Sequence, residues 1–323
     1  MDHFLKFKPL IKNSHCQTII GSALTSPWEV HSTSFYVKLP DDDVLALEIS
    51  TPKAWQEKDW TVLLLHGLCG SHKSHYMSRL AKKFYKAGLQ AVRINMRGCG
   101  TGRGLARSIY HSGSSDDVLE VVKAVREKFP NSPLLLVGFS LGANVILKLG
   151  GELQDKAKEY LKGLIAIGPP VDLLASARLV IQPHNRFYAK YFLRLLLDDV
   201  NFRHTHFPDL GPHNLPSNIN MSDFDELYVA PRAHYSNALE YYYYCSSKKV
   251  VQDIALPTKI LFAEDDPIIK PNALDHYILP SHVEVYKTAY GGHIGFMGQN
   301  IFKDFRWLDN QILSWIEGWR SSL

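Results

Sequence analysis

The stretch that decides the fold is PLLLVGFSLGANVILKL, residues 133–149. Its first five residues, 133–137, are mostly apolar and predict a buried strand, and the apolar pattern after Leu141 predicts a helix. Between them lies Gly-Phe-Ser-Leu-Gly, with Ser140 at its centre. A sharp strand-to-helix turn strains its middle residue, and small residues two positions away on each side let the backbone pass close by. In this context, G-x-S-x-G strongly indicates an exposed, reactive serine at the head of a helix.

Short apolar runs recur on both sides of this stretch and alternate with helical patterns. A Pro-Asp turn at 40–43 separates two alternating runs, which predicts an antiparallel hairpin. Near-continuous apolar strands separated by helices predict a parallel sheet covered on both faces, an α/β fold. With the hairpin the sheet has eight strands, expected at 33–39, 44–50, 61–65, 89–94, 133–137, 164–168, 258–262 and 283–287. Helices are expected at 74–87, 114–128, 141–160 and 307–319.

One connection is much longer than the others. About ninety residues separate the strands at 164–168 and 258–262, whereas a crossover needs roughly a dozen. The excess is rich in aromatic residues and histidines, and it predicts a helical lid insertion at about 172–253. No internal repeat or low-complexity segment divides the chain. We therefore expect a single domain, 1–323, with an N-terminal extension at about 1–32.

Composition excludes several classes of protein. The 323 residues are 46% hydrophobic and carry a net charge of +4, which is typical of a packed protein and too weakly basic to indicate nucleic-acid binding. The four cysteines form no CxxC pair, so neither a zinc ribbon nor a redox motif is expected. No run of ~18 apolar residues predicts a membrane span, and no signal-peptide core is evident. A cytoplasmic monomer without stable membrane insertion is the expectation.

A nucleophilic serine needs a base, and the base needs an orienting carboxylate. On a fold with this motif the chain order is serine, acid, histidine. Of the fifteen histidines, only His293 fits the order, the spacing and a place in a loop after a strand. The acid is either Asp265 or Asp266, and Asp266 is favoured because Pro267 would fix the turn and aim that carboxylate inward. A solvated acidic turn is the alternative interpretation.

An oxyanion hole needs two backbone N–H donors. One is expected at Leu141, directly after the serine, and the other in the loop that follows the strand 61–65. That loop begins His66-Gly67-Leu68, and the position after His-Gly assigns Leu68 as the second donor. His66 precedes the serine in the chain, so it is interpreted as supporting the loop through hydrogen bonds rather than as the base.

Three other patterns have structural interpretations. The glycines at 98, 100, 102 and 104 do not fit G-x-G-x-x-G, so no nucleotide cofactor is expected. His204 and His206 form an HxH pair without further ligands nearby, so no metal is expected. Tyr241–Tyr244 at helical spacing predict two core-facing and two outward rings, with an apolar acyl pocket as the functional alternative.

Several motifs together resemble those of the α/β-hydrolases of the AB hydrolase 4 family, also called the YheT-like group, whose eukaryotic relatives are ABHD-type lipases and esterases. They are SHCQT (14–18), HGLCGS (66–71), NMRGCG (95–100), IYHSG (109–113), GFSLGAN (138–144), FAEDDP (262–267) and YGGHIGF (290–296). The resemblance covers nearly the whole chain and implies an α/β-hydrolase fold. It also implies a nucleophile, acid and base at Ser140, Asp266 and His293, and action on carboxylic esters, without specifying which ester.

These features predict a serine hydrolase that cleaves small-molecule or lipid esters through a Ser-His-Asp triad and an acyl-enzyme, with no cofactor. An acyltransferase would form the same acyl-enzyme, so the sequence leaves that alternative open. A non-catalytic binding protein on the same fold is the third possibility, and the complete set of Ser140, Asp266 and His293 argues against it.

Overall fold

A computed structural model describes residues 4–23, 30–299 and 305–322. The strands are β1 (Lys8–Pro9), β2 (Thr33–Lys38), β3 (Val44–Ser50), β4 (Thr61–Leu65), β5 (Gln90–Ile94), β6 (Leu134–Phe139), β7 (Gly163–Ile167), β8 (Thr258–Ala263), β9 (Val283–Thr288) and β10 (Gly298–Gln299). The α-helices are α1 (Ser14–Ala23), α2 (His75–Lys86), α3 (Ser115–Lys128), α4 (Leu141–Leu153), α5 (Leu173–Val180), α6 (Arg186–His206), α7 (Met221–Phe224), α8 (Ala230–Arg232), α9 (Ala238–Cys245) and α10 (Trp307–Ser322).

The main sheet has eight strands in the order β2-β3-β5-β4-β6-β7-β8-β9. β2 and β3 form the antiparallel hairpin, β3 pairs antiparallel with β5, and the remaining neighbours are parallel. The predicted α/β class and mostly parallel eight-stranded sheet are confirmed. Because the carboxyl ends of the parallel strands share one edge, the loops after β4, β6, β8 and β9 can meet there.

Both faces of the sheet are covered. Leu63 of β4 packs in a cluster with valines of α3 and α4, whereas its neighbour Leu64 packs in a second cluster with residues of α2 and α10. Both leucines are fully buried. Burial on two faces explains why the parallel strands have near-continuous apolar runs instead of alternation.

One predicted helix is shorter than expected. A helix was expected over 141–160, but α4 ends at Leu153 and 3₁₀ turns follow at Gln154–Glu159. Gln154 adopts a left-handed conformation with φ of 51°, which ends an α-helix and which sequence periodicity does not reveal.

Two segments outside the regular α/β alternation approach the same end of the molecule. Residues 173–253, named the helical segment below, contain α5–α9 between β7 and β8 and have an apolar cluster of their own. Near the N-terminus, β1 pairs antiparallel with β10. The single domain, the N-terminal extension and the lid stay predictions, and residues 1–3 and 24–29 of that extension lie outside the described residues.

Within residues 4–23, 30–299 and 305–322, no helix is sufficiently long and apolar to cross a bilayer.

Candidate active site

Ser140 stands at a strained turn between β6 and α4. Its φ and ψ are 50° and −121°, a left-handed conformation that is costly for a residue other than glycine. A Cβ at Gly138 would lie 2.6 Å from the carbonyl oxygen of Gly142, and one at Gly142 would lie 2.4 Å from that of His66. Both flanking glycines are therefore needed because backbone passes against backbone, as the sequence pattern predicts.

His293 lies between Ser140 and Asp266. The imidazole Nε2 is 2.8 Å from the Ser140 Oγ, and Nδ1 is 2.8 Å from the Asp266 Oδ2. The side chains of His293 and Asp266 are only 9% and 2% exposed. Asp266 Oδ1 accepts the backbone N–H groups of Ile268 and Ile269, both at 2.9 Å. These bonds fix the orientation of the carboxylate, so it can hold the ring in one tautomer.

Asp265 points to a different group. Its Oδ1 accepts the backbone N–H of Gly292 at 2.8 Å, one residue before His293. Burial raises the pKa of the Asp265 carboxyl, partly offset by that hydrogen bond. Of the two aspartates considered from the sequence, the one whose carboxylate contacts the imidazole is thus Asp266, while Asp265 binds the backbone of the histidine loop.

The N-terminal helix α1 lies against the loop that carries His293. Thr18 Oγ1 accepts the backbone N–H of His293 at 2.8 Å. A Cβ at Gly292 would lie 2.4 Å from the carbonyl oxygen of Ser14, and one at Gly295 would lie 2.3 Å from that of Gln17. The glycines of this loop therefore admit α1 at contact distance, and α1 in turn supports the backbone of His293.

Leu68 lies between two amides that are tied to tyrosines. The Gly67 N–H donates to Tyr76 Oη at 2.9 Å, and the Cys69 N–H donates to Tyr110 Oη at 2.8 Å. Throughout the described part of the chain, no residue accepts a hydrogen bond from the Leu68 amide. Leu68 can therefore present a free donor from an anchored loop.

The loop of Leu68 is also pressed against the serine. A Cβ at Gly67 would lie 3.0 Å from the Ser140 Cβ. Leu141 is the first residue of α4, where backbone N–H groups have no partner within the helix. Two backbone donors, at Leu68 and Leu141, thus flank Ser140 on adjoining segments.

His66 is buried and serves the same loop. Its Nδ1 donates to the carbonyl oxygen of Gly67 at 2.7 Å, and its Nε2 accepts the backbone N–H of Met96 at 3.2 Å. Burial lowers the pKa of His66 to about 4, so the imidazole is neutral at pH 7. Its nitrogens bind backbone rather than Ser140, which agrees with the supporting interpretation from the sequence.

Ser140, Leu68 and Leu141 border a cavity of about 160 Å³ that reaches into the helical segment. Most of its wall is apolar and includes Phe192, Leu196 and Val200 of α6. His293 and Asp266 do not line it, although Ile268 and Ile269 do. The serine therefore faces an apolar chamber on one side and the imidazole on the other.

Comparison with known proteins places this geometry in a family. Residues 61–299 match the model of the alpha/beta hydrolase fold family, a range that contains Ser140, Asp266 and His293. The chain belongs to the α/β-hydrolase fold family. The resemblance to the α/β-hydrolases that was noted from the motifs is thereby confirmed.

Several members of this family are similar over most of the chain. The chain is 30% identical to YheT of Escherichia coli (strain K12), an esterase by name, over 94% of this chain and 90% of YheT. It is 29% identical to the monoacylglycerol lipase of Saccharomyces cerevisiae over 82% of this chain and 58% of that enzyme. The esterase Pf2001 of Pyrococcus furiosus shares the fold, with a TM-score of 0.60 over 98% of both chains at 16% identity.

Some residues of this α/β-hydrolase site were not singled out from the sequence. Thr18, Tyr76 and Tyr110 bind backbone groups of the His293 and Leu68 loops. Two of the quoted motifs, SHCQT and IYHSG, contain Thr18 and Tyr110. The sequence signal for Thr18 and Tyr110 was their position in motifs far from the serine, whereas no sequence pattern pointed to Tyr76.

Two of the sequence patterns, the HxH pair and the run of four tyrosines, can be placed in the structure. His204 Nδ1 lies against the carbonyl oxygen of Gly211 and Nε2 is 3.1 Å from the hydroxyl of Tyr228. No group of three or more potential metal ligands occurs in residues 4–23, 30–299 and 305–322. Tyr241 and Tyr242 are buried and line the cavity, whereas Tyr243 and Tyr244 are exposed. The predicted division of the four tyrosines is therefore observed.

Proposed function

We propose that this protein is a serine hydrolase of carboxylic esters in which Ser140 is the nucleophile and His293 the general base. The observation that carries the proposal is the hydrogen-bonded series Ser140–His293–Asp266 at a strained strand-to-helix turn. Such a series occurs where a serine is activated by a base that a carboxylate orients. In this proposal Asp266 fixes the tautomer of His293 and stabilises its cation.

The reaction has two halves. Ser140 Oγ attacks the ester carbonyl while His293 Nε2 takes its proton, and the amides of Leu68 and Leu141 stabilise the oxyanion. His293 then gives the proton to the leaving alcohol, which leaves an acyl group on Ser140. Water, deprotonated by His293, attacks this acyl-enzyme. His293 then gives that proton to the Ser140 Oγ as its bond to the acyl carbon breaks and the acid is released. Each oxyanion donor contributes ~3–4 kcal/mol to such transition states in other enzymes.

The cavity is proposed to hold the acyl chain rather than the alcohol. The leaving oxygen must approach His293 to receive a proton, and His293 lies outside the cavity wall, whereas both proposed oxyanion donors border it. The acyl carbon chain therefore extends from Ser140 into the apolar chamber under α6. A volume of about 160 Å³ is close to cavities that hold one benzene ring, which favours acyl chains of roughly six carbons.

Relatives support an ester substrate. YheT is an esterase by name, and the yeast relative is named for hydrolysis of monoacylglycerols. We extend only the class of bond, the carboxylic ester, to this chain. A lid role for the helical segment follows from its position over the cavity and belongs to the same proposal, while the monomeric state and cytoplasmic location stay predictions from the sequence.

A ladder of p-nitrophenyl esters from acetate to palmitate tests the proposal, with wild type beside Ser140→Ala. We expect hydrolysis with an optimum near a six-carbon acyl group, lost in Ser140→Ala although the variant stays folded. Analysis of the products with added alcohols distinguishes hydrolysis from acyl transfer. Folded wild-type protein that cleaves none of these esters, or a Ser140→Ala variant as active as wild type, would overturn it.

A further inference from the structure

The apolar cavity contains a carboxylate that the proposed reaction does not use. Asp225 lines the cavity that Ser140 borders. Its Oδ2 accepts the hydroxyl of Tyr242 at 2.6 Å. Its Oδ1 has no hydrogen-bond partner among the described residues. One oxygen of an aspartate is thus oriented by the protein, and the other is available within the chamber.

Asp225 is not balanced by a positive charge. No lysine, arginine or histidine forms an ion pair with it in the described ranges. Burial raises the pKa of Asp225 to about 6 although the Tyr242 hydroxyl favours the ionised form. The cavity's other carboxylate, Asp199, is bound by Arg203 at 2.8 Å. Of the two carboxylates on the cavity wall, Asp225 is therefore the one with an oxygen that no described residue binds.

The backbone at Asp225 is unusual as well. Residues Asp225–Val229 form a π-helical turn between α7 and α8. Pro231 follows in α8 and has no N–H with which to continue a regular hydrogen-bond ladder. Short π-helical turns are rare and occur frequently at functional sites. This turn places Asp225 and Tyr228 on the cavity wall together.

A wholly apolar chain would be poorly matched to this wall. An apolar chain would remove water from the free carboxylate oxygen without giving it a hydrogen bond, which costs free energy. A hydrogen bond from a hydroxyl group on the chain offsets that cost. A hydroxyl suits this position better than an ammonium because the rest of the chamber is mainly apolar and would desolvate a cation.

We propose that Asp225 selects esters whose acyl chain carries a hydroxyl group remote from the ester carbonyl, and that its Oδ1 accepts the hydrogen bond from this hydroxyl. The proposal rests on the proposed ester hydrolysis at Ser140 and names the substrate class of that site. Tyr242 acts as the positioning residue because its hydroxyl fixes the rotamer of Asp225.

Matched p-nitrophenyl esters test this directly. Acyl chains of six to ten carbons are compared in pairs that differ only in a terminal hydroxyl, because shorter hydroxyacyl esters release p-nitrophenol by lactonisation, and kcat/KM is measured for each pair. We expect one chain length at which the hydroxylated ester is preferred by about tenfold or more, the size of a hydrogen bond to a charged group. If the plain ester of every length is hydrolysed as well as or better than its hydroxylated partner, the proposal is wrong.

Variants assign the preference to Asp225. The double variant Asp225→Leu with Tyr242→Phe removes the carboxylate and the hydroxyl that it accepts, and it should reverse the preference between the hydroxylated and the plain ester. Tyr241→Phe is the matched control, since Tyr241 also lines the cavity but its hydroxyl bonds to Ser112, and its preference should equal that of wild type. A double variant that keeps the wild-type preference would overturn the assignment.

The comparison of ester pairs uses the wild-type protein, so it does not depend on the folding of a variant. It distinguishes failure of the proposed ester hydrolysis from failure of the proposed role of Asp225. A protein that hydrolyses neither member of any pair contradicts the ester hydrolysis itself. A protein that hydrolyses plain esters through Ser140 without favouring their hydroxylated partners contradicts only the role of Asp225.

Discussion

At the scale of single residues, Asp265 and Asp266 are neighbours whose carboxylates bind different groups. Asp266 contacts the imidazole of His293, and Asp265 accepts the backbone N–H of Gly292. A side-chain amide can replace a carboxylate as an acceptor of a backbone N–H, but it cannot stabilise an imidazolium or keep the required tautomer. The two aspartates therefore allow a matched test.

We expect Asp266→Asn to lower kcat by about 10³-fold or more, as expected for loss of the orienting carboxylate in a Ser-His-Asp series. Asp265→Asn should lower kcat less than about fivefold, because the Asn oxygen can still accept the Gly292 N–H. Steady-state hydrolysis of one p-nitrophenyl ester by both variants provides the comparison. Equal losses in the two variants would contradict the assignment of Asp266.

A second residue-scale prediction concerns the loop of Leu68. Tyr110→Phe removes the acceptor of the Cys69 N–H, so the neighbouring Leu68 donor should be less well oriented. A neutral hydrogen bond contributes about 0.5–1.5 kcal/mol, so we expect kcat to fall about three- to tenfold. Tyr235→Phe is the control, since the hydroxyl of Tyr235 contacts the thiol of Cys245 instead. An unchanged kcat in Tyr110→Phe would exclude this role.

At the scale of elements, α1 supports the loop that carries His293. Thr18 Oγ1 accepts the backbone N–H of His293, and the close approach of α1 relies on Gly292 and Gly295. The pairing of β1 with β10 and two hydrogen bonds between Gln17 and Met297 fasten the same segment. An N-terminal element thus determines where the proposed base lies.

We expect Thr18→Val to lower kcat severalfold, because valine fills the same volume but cannot accept the His293 N–H. Thr18→Ser retains the oxygen and should keep kcat close to that of wild type. The pair is compared by ester hydrolysis and by thermal unfolding. If both variants lose the same activity, the hydroxyl is not the cause and packing of α1 is.

The sequence alone predicts the strands and the site residues, but it does not predict that α1 supports the His293 loop. The strands, Ser140 and His293 follow local rules: apolar runs, a G-x-S-x-G turn and chain order. Thr18 and His293 are separated by 275 positions, and no local pattern shows that α1 lies against that loop. The left-handed conformation of Gln154, which shortens α4, and the π-helical turn at Asp225 also depend on tertiary packing, which no local sequence pattern shows.

At the scale of the whole molecule, three histidines held in neutral form by full or partial burial link stability to pH. Burial lowers the pKa values of His66, His75 and His111 to about 4, against an ordinary value of 6.5. Between these values the unfolded chain binds protons that the folded chain does not, so the free energy of unfolding falls as pH falls. Asp225, with its pKa raised to about 6, acts in the opposite direction, as do Asp117 and Asp265, whose pKa values burial also raises. The three large histidine shifts outweigh these carboxyl shifts.

We therefore expect the free energy of unfolding to decrease steadily between pH 6.5 and pH 4. Urea unfolding at several pH values across this window measures it. His75→Gln removes one of the three imidazoles and should give a shallower dependence on pH. A stability that is constant or rises on acidification across the window would contradict the neutral state of these histidines.

The central claim is that Ser140 is a nucleophile activated by His293 and Asp266. Its most direct test is labelling of the folded protein with a fluorophosphonate, followed by mass spectrometry of the peptides. We predict one phosphonyl group on the peptide that contains Ser140, with esterase activity lost in proportion to labelling and no labelling of Ser140→Ala. Ester hydrolysis that persists after complete exposure to the probe, or a label on any other residue, would contradict the claim.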